Sequence, residues 1–199
     1  MNYMADTLGY YNLNAKMFGD NTRDVEFTEM QDKFLTYLQP GERILDFGCG
    51  SGRDTKYFLS RGYQVEATDG SAELVKMAAE YTQTEVKQML FQDLDSEGIY
   101  DGIWACSSIL HLRREELEDV FVKMARALVS KGVLYTSFKY GTEEEERNGR
   151  YFTDMTEDKT NQLLERVDLF LIEDMWTTSD VRPGREDERW LNMILRKKN

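Results

Sequence analysis

The chain has 199 residues, of which 41% are hydrophobic and 31% are charged. This length suits one well-buried domain, and the composition is that of a globular protein rather than a disordered one. The formal net charge of −12 repels phosphate backbones and anionic membrane surfaces, so it disfavours non-specific nucleic-acid binding. The N-terminal residues lack the apolar stretch of a signal peptide, and no apolar run approaches the ~20 residues that span a bilayer, so we expect a cytoplasmic protein.

The predicted elements begin with two helical stretches, the second of them over Thr28–Leu38. Beyond Pro40, apolar runs typical of strands alternate with amphipathic helical stretches. The predicted strands are Ile44–Phe47, Gln64–Thr68, Val86–Phe91, Gly102–Ala105, Val133–Phe138, Leu169–Trp176 and Trp190–Arg196. The predicted helices between them are Asp54–Ser60, Ala72–Tyr81, Arg114–Leu128 and Glu157–Arg166. This alternation predicts a doubly wound, Rossmann-like α/β fold whose seven-stranded sheet is mainly parallel.

The chain contains only two cysteines and one histidine. Cys49 and Cys106 do not form a Cys-x-x-Cys pair, so neither a structural zinc site nor a disulfide framework is expected. We therefore expect no metal and two free thiols. The acidic run Glu143–Glu146 is interpreted as the solvated face of a loop.

Three glycines, Gly48, Gly50 and Gly52, follow the first predicted strand in the stretch RILDFGCGSGRDT. In an open α/β sheet this strand-to-helix turn lies where nucleotides bind, at the carboxyl ends of the strands. Glycine there permits unusual backbone angles or close approach of a ligand, although a tight connection without a ligand would use the same residues. Asp69 ends the second predicted strand about 20 residues after Asp46, the spacing at which an acid meets ribose hydroxyls. These features favour a ribose-bearing ligand.

The details of the turn distinguish between nucleotides. The dinucleotide fingerprint places its third glycine where this chain has Arg53, and Gly52 comes one residue early. Asp46, before the first glycine, would repel a pyrophosphate and favour a cationic ligand, directly or through water. No Gly-Lys-Ser/Thr follows, which excludes a P-loop. S-adenosylmethionine, with a sulfonium and a ribose, suits these acids, and an NAD-linked oxidoreductase is the alternative.

The stretch ILDFGCGSG resembles motif I of the class I S-adenosylmethionine-dependent methyltransferases. The resemblance continues in VEATDGS, FQDLD, YDGIWACSSILHL and LVSKGVLYTSFK, although Ser130-Lys131 replace the proline-glycine pair common in the last of these. More narrowly, GSGRDT, DGIWACSSILHL, GRYFT and RPGREDERWLN resemble a bacterial subgroup of predicted small-molecule methyltransferases related to tellurite-resistance methyltransferases.

The resemblance implies a set of cofactor-binding residues. In the family, the acid that ends the second strand holds the ribose, which corresponds to Asp69, and an acid after the third strand contacts the adenine, which corresponds to Asp93. The full implied set is Tyr11, Asp46, Gly48, Cys49, Gly50, Gly52, Asp69, Gly70, Ser71, Asp93, Leu94 and Cys106.

Candidates for chemistry and acceptor binding lie outside the glycine turn. His111, the single histidine, follows the fourth predicted strand and could act as a general base, or it could cap or pack beneath the next helix. The acceptor-side candidates are Tyr10, Phe18, Lys139, Arg150, Tyr151, Arg182 and Arg185, with Arg189 beside them. Arginines aimed into a pocket would favour an anionic acceptor, whereas pairing with Asp180 and Glu186–Glu188 would make them surface ion pairs.

We therefore expect a single methyltransferase domain over residues 1–199. It would comprise a helical N-terminal segment (1–40) resembling a lid, a cofactor-binding core (41–138) and a substrate-side half (139–199). The expected activity is methyl transfer from S-adenosylmethionine to a small, anionic acceptor, with an NAD-linked oxidoreductase or a non-catalytic S-adenosylmethionine-binding module as alternatives. A nucleic-acid acceptor is disfavoured by the acidity and by the lack of an Asn-Pro-Pro-Tyr-like run after the fourth strand.

Overall fold

A computed structural model describes residues 3–182 and 184–199. Its helices and strands follow one another in a largely alternating order. The helices are α1 (Tyr3–Thr22), α2 (Thr28–Leu35), α3 (Arg53–Ser60), α4 (Ala72–Thr82), α5 (Arg114–Ala127) and α6 (Glu157–Val167). The strands are β1 (Arg43–Phe47), β2 (Gln64–Asp69), β3 (Val86–Gln88), β4 (Tyr100–Ala105), β5 (Leu128–Lys139), β6 (Glu144–Arg147), β7 (Arg150–Thr153), β8 (Phe170–Ser179) and β9 (Arg189–Lys197). Short 3₁₀ turns cover Phe91–Asp93 and Ile109–His111.

Seven strands form one mixed sheet in the order β3-β2-β1-β4-β5-β9-β8. Strands β1 to β5 run parallel, while β9 is antiparallel to both β5 and β8. The prediction of a mainly parallel, Rossmann-like, seven-stranded sheet is therefore confirmed. Because Trp190 pairs with Lys139, the connection between β8 and β9 lies at the edge where the parallel strands end. None of the described helices combines the length and apolarity needed to cross a membrane.

Apolar side chains cover both faces of this sheet. On one face α5 buries Leu117, Val120, Phe121 and Met124, which recur at helical spacing. On the other, Trp104 of β4 stacks on Tyr135 of β5 with ring centroids 4.0 Å apart. Burial of such side chains stabilises the fold by about 1.5–3 kcal/mol each, so these layers hold the strand ends in fixed positions.

The structure corrects two of the predicted elements. The predicted strand Val86–Phe91 ends at Gln88, and a 3₁₀ turn follows at Phe91–Asp93. The acidic run interpreted as a loop is instead mostly strand β6, which pairs with β7 in a hairpin, although Glu143–Glu146 are solvent-exposed as expected. Its turn is formed by Asn148 and Gly149, both with positive φ (52° and 74°). Asn-Gly is the dipeptide that favours such a turn, so the sequence contained a hairpin signal.

Candidate functional site

A cavity of about 720 Å³ opens at the carboxyl edge of the parallel strands. Its volume lies in the range of small-molecule sites. The β1–α3 turn and the end of β2 line one end, which we call the glycine-loop end. Helix α1, the β6–β7 hairpin and the β8–β9 connection line the other, which we call the hairpin end. The described residues thus bring an N-terminal helix and the C-terminal strands to the same cavity.

The glycine loop presents bare backbone to the cavity. Gly48 has φ +88°, and a Cβ added there would lie 2.4 Å from Cβ of Ser108. The amides of Gly48 and Cys49 both donate to the Thr68 carbonyl, at 2.9 and 2.8 Å, which fixes the loop against β2. Gly52 caps α3 and is buried against α4 outside the cavity lining. Of the three glycines, therefore, Gly48 and Gly50 reach the cavity.

Asp69 lies at the wall of the cavity, where its carboxylate organises two turns. It accepts hydrogen bonds from the amides of Gly50 (2.9 Å) and Ser71 (2.8 Å). Burial raises the pKa of Asp69 against the lowering effect of these amides. Ser71 is fully buried, caps α4 and donates to Asn12 of α1, so it supports the site from behind the lining.

Asp46 lies beneath the loop rather than in the cavity lining. Its side chain is buried and accepts a hydrogen bond from Thr55 at 2.5 Å. Burial, with the nearby charge of Asp54, raises the pKa of Asp46 to about 8. Burial alone would raise the pKa of Asp54, but Arg53, Trp104 and Gln31 donate to its carboxylate and lower it. Asp54 therefore holds the negative charge of this pair.

The remaining predicted cofactor residues divide between lining and non-lining positions. Gly70 lines the cavity, whereas Asp93 is exposed and Leu94 is buried in the core, both outside the lining. The chain before Asp93 contributes Met89, Leu90 and Phe91 instead. Sequence reasoning missed these apolar residues because they follow β3 directly, where a longer strand was predicted.

The two cysteines, Cys49 and Cys106, line the same cavity. Burial raises the pKa of Cys106 to about 12, and burial raises the pKa of Cys49 well above its usual value. Both thiols are therefore protonated at neutral pH and are poor nucleophiles.

His111 joins the hairpin end to helix α1. Its Nδ1 lies 2.6 Å from the Tyr151 carbonyl and its Nε2 lies 2.8 Å from the Tyr11 hydroxyl. Because a carbonyl only accepts, Nδ1 carries the proton, so Nε2 of the neutral ring accepts from Tyr11. Burial, with the charge of Arg150, lowers the pKa of His111 to about 4. The ring is therefore neutral at pH 7, and Tyr11 occupies the nitrogen that a base would use.

The predicted acceptor-side residues also divide in two. Phe18, Lys139, Arg150, Arg182 and Arg185 line the cavity. Tyr10 and Tyr151 do not, but Tyr10 packs edge-on against Tyr11 at 5.6 Å and Tyr151 holds His111. Sequence reasoning missed the lining residues Arg147, Asn148, Phe152 and Asp154. The Asn-Gly turn was the signal that could have brought them into consideration.

Cationic side chains are concentrated in this lining. Seven cations and six carboxylates face the cavity, although the chain carries a net charge of −12. The cations are Arg53, Lys139, Arg147, Arg150, Arg182, Arg185 and Arg189. Burial lowers the pKa of Lys139 to about 8, with Arg182 and Arg185 acting in the same direction against Asp180.

Comparison with known proteins connects this geometry to a reaction. A family model described as a methyltransferase domain matches residues 44–132. An uncharacterized methyltransferase of Staphylococcus carnosus is 26% identical over 154 residues, which cover 70% of this chain and 74% of that protein. An 18S rRNA (guanine-N(7))-methyltransferase of Schizosaccharomyces pombe is 32% identical over 108 residues, 50% of this chain and 40% of that one.

A solved structure of similar fold is the Burkholderia thailandensis 1,6-didemethyltoxoflavin-N1-methyltransferase, with bound 1,6-didemethyltoxoflavin and S-adenosylhomocysteine. The TM-score is 0.80 and the identity is 20%, with 99% of this chain and 89% of that chain covered. The matched methyltransferase-domain model and the shared fold together indicate an S-adenosylmethionine-dependent methyltransferase.

The sheet of this methyltransferase also decides against the NAD-linked alternative. The usual dinucleotide-binding Rossmann sheet is mostly parallel and has the strand order 3-2-1-4-5-6, without an antiparallel strand inserted beside its fifth strand. Here β9 is antiparallel and lies between β5 and β8. In the part of the chain that the structure describes, no three potential metal ligands lie close enough together to hold an ion.

Proposed function

We propose that this methyltransferase transfers the methyl group of S-adenosylmethionine to a small anionic acceptor bound at the hairpin end of the cavity. The observation that carries the proposal is the reversal of charge. An acidic protein has a cavity whose lining holds more cations than carboxylates, and six of those seven cations lie between Lys139 and Arg189. A positive local field attracts anions and raises their concentration at the site.

The glycine-loop end fits a nucleoside sulfonium. The bare backbone at Gly48 and Gly50 allows close approach, and we assign the ribose hydroxyls to Asp69 because its carboxylate lies at the wall beyond the loop. The apolar residues Leu90 and Phe91 suit an adenine ring and take the place that the family pattern gives to Asp93. The bound cofactor supplies an activated methyl group on a good leaving group.

The chain itself contributes positioning to this reaction. Displacement at a methyl carbon requires the acceptor to be held in line, and positioning alone can supply much of the rate. Cys106 and Ser107 follow β4 at the boundary between the two ends and line the cavity there. A soft or already ionised nucleophile would need no general base. This agrees with a neutral His111 whose Nε2 is occupied by Tyr11.

Cofactor binding is tested by titration calorimetry with S-adenosylhomocysteine on the Asp69→Asn and Asp93→Asn variants. We expect Asp69→Asn to weaken binding at least about tenfold, because hydrogen bonds to a charged group contribute about 1.5–3 kcal/mol. Asp93→Asn is the matched control and should bind as the wild type does. Equal affinity of wild type and Asp69→Asn would contradict the ribose assignment.

The acceptor is tested by measuring S-adenosylhomocysteine release with a panel of small carboxylates, thiols, and selenium and tellurium oxyanions. Thiols and oxyanions are included because of the resemblance to tellurite-resistance methyltransferases. Each active carboxylate is compared with its methyl ester, and structured RNA forms a separate arm. We expect turnover with an anion and at least tenfold lower kcat/KM with its neutral ester. Turnover with RNA alone, or no turnover with any acceptor, would contradict the proposal.

A further inference from the structure

The geometry points to Arg150 as the residue that binds the negatively charged group of the acceptor. This inference rests on the proposed function and identifies the group within the cation-rich end that meets the substrate. It also separates Arg150 from Arg182 and Arg185 of the β8–β9 connection, which the sequence alone does not distinguish from it as acceptor-binding residues.

Most cations of the cavity already have a carboxylate partner in the protein. Arg53 pairs with Asp54 at 2.7 Å and Arg185 with Glu188 at 3.5 Å. The other pairs of this kind are Lys139 with Glu188, Arg147 with Asp154, and Arg182 with Asp180. Arg182 and Trp190 donate to Asp180 and lower its pKa to about 2 against the effect of burial, so Asp180 stays charged and neutralises Arg182. These side chains are internal ion pairs that shape the end of the cavity.

Arg150 differs from these cations, because among the residues that the structure describes no carboxylate oxygen lies within 4.0 Å of its guanidinium nitrogens. Its guanidinium packs against three aromatic rings, with the carbon Cζ 4.6 Å from the centroid of Tyr10, 5.8 Å from Tyr11 and 5.1 Å from Phe152. Its Nε is buried without a hydrogen-bond partner in the described structure. Arg189 also lacks a carboxylate there, but it is exposed and donates to Thr177.

The polar groups beside Arg150 do not neutralise it. Its Nη1 lies 3.5 Å from the Tyr11 hydroxyl, which is neutral because burial raises the pKa of Tyr11. The Tyr11 proton is donated to His111, which is also neutral. The Tyr11 hydroxyl oxygen therefore offers Arg150 a hydrogen-bond acceptor but no negative charge. A cation held among aromatic rings has lost part of its hydration, and an ion pair with a ligand anion is correspondingly stronger there than at an exposed site.

The location of Arg150 favours the acceptor as the source of that anion. Arg150 extends from β7 of the hairpin and meets α1 at Tyr11, beside His111. The aromatic rings around Arg150 would flank a planar or apolar acceptor that bears an acid group, such as an aromatic carboxylate. The methionine carboxylate of the cofactor has the same chemistry, so the experiment must distinguish the two sources.

The test uses the protein saturated with S-adenosylhomocysteine and measures its affinity for benzoate, malonate and phosphate at constant ionic strength. We expect at least one of these anions to bind the wild type and to bind Arg150→Gln at least tenfold more weakly, with partial recovery in Arg150→Lys. Arg113→Gln is the matched control, because Arg113 also packs on a tyrosine ring (4.4 Å from Tyr3) but lies outside the cavity. Arg182→Gln should weaken anion binding less than Arg150→Gln does.

Two outcomes would overturn the inference while leaving methyl transfer intact. One is equal anion affinity of Arg150→Gln and the wild type. The other is at least tenfold loss of S-adenosylhomocysteine affinity in Arg150→Gln with unchanged affinity for 5′-methylthioadenosine, which would assign Arg150 to the cofactor carboxylate. Failure of the wild type to bind S-adenosylhomocysteine at all would instead contradict the proposed function.

A second measurement needs no variant. His111 is the single histidine, so its ring nitrogens can be followed individually by ¹⁵N NMR of histidine-labelled protein. The charge of Arg150 lowers the pKa of His111, and an anion bound to Arg150 would offset that charge. We expect saturating anion to raise the pKa of His111, and an unchanged pKa in an anion-saturated sample would overturn the inference.

Discussion

The two ends of the cavity are built in different ways. The glycine-loop end takes its bare backbone from the β1–α3 turn and the Asp69 carboxylate from the end of β2, and these two features lie within 27 consecutive residues from Arg43 to Asp69. The hairpin end uses side chains from α1, the turn after β4, the β6–β7 hairpin and the β8–β9 connection, which are distant in sequence. A ligand common to a whole family can be held by local backbone, whereas an acceptor particular to one enzyme needs side chains that only the tertiary fold brings together.

The largest effect is expected at the glycine-loop end, from Gly48→Ala. Alanine would need a left-handed φ of +88° and would place its Cβ 2.4 Å from Cβ of Ser108. The strained backbone costs about 1–2 kcal/mol and the overpacking about 1–3 kcal/mol, so we expect a loss of roughly 3–4 kcal/mol in the free energy of unfolding. Urea denaturation of both proteins measures it.

Gly62→Ala is the matched control for the backbone contribution. Gly62 has φ +86°, but a Cβ there meets nothing within 4 Å. We expect it to lose only about 1–2 kcal/mol. If the two variants were equally destabilised, the close approach of Gly48 to Ser108 would contribute nothing, and the loop would be an ordinary tight turn.

The same contrast explains what could be predicted from the sequence. The alternation of strands and helices and the roles of Gly48 and Gly50 in forming a bare loop follow from local patterns, since apolar periodicity and turn glycines act over a few residues. The placement of Arg53 is different: it pairs with Asp54 and lines the cavity, a result of packing around Trp104 that no spacing rule contains.

The hairpin end was less predictable for the same reason. Arg150 and Arg182 are both arginines near acidic residues in sequence, yet only the fold shows that Arg182 is paired with Asp180 while Arg150 lies among aromatic rings. Likewise, the sequence predicted that His111 acts as a general base, or that it caps or packs beneath the next helix. Its actual partners, Tyr11 and the Tyr151 carbonyl, lie 100 and 40 residues away along the chain.

At the hairpin end, a pH-dependent effect of intermediate size is expected from His111. The pKa of His111 is about 4 in the folded protein, whereas its ordinary value, which applies to the unfolded chain, is 6.5. Below pH 6.5 the unfolded chain binds a proton that the folded chain excludes, so stability is lost as the pH falls from 6.5 to 4. The full difference corresponds to about 3 kcal/mol.

His111→Gln should abolish this dependence. The variant is expected to be less stable at pH 7, because it breaks the link between Tyr11 and the Tyr151 carbonyl, but it should lack the contribution by which His111 destabilises the wild type as the pH falls from 7 to 5.5. Asp46 contributes to both proteins alike and the chain contains no other histidine, so the difference between the two profiles over that interval isolates His111. Parallel pH profiles for the two proteins would show that the ring is solvated and that the hairpin end is looser than the structure has it.

The smallest effect is expected beneath the glycine loop, from Asp46→Asn. The pKa of Asp46 is raised to about 8 by burial and by Asp54, so between pH 4 and 8 the unfolded chain releases a proton that the folded chain retains. Stability should therefore fall as the pH rises through this range, and a neutral amide should remove part of that loss. We expect Asp46→Asn to be more stable than the wild type at pH 8 by about 1 kcal/mol, net of an imperfect hydrogen bond to Thr55.

Its affinity for S-adenosylhomocysteine should change less than about threefold, because Asp46 does not line the cavity. A lower stability at pH 8, or a tenfold loss of affinity, would mean that the ligand senses a charged Asp46, and that the glycine-loop end depends on buried charge as well as on backbone.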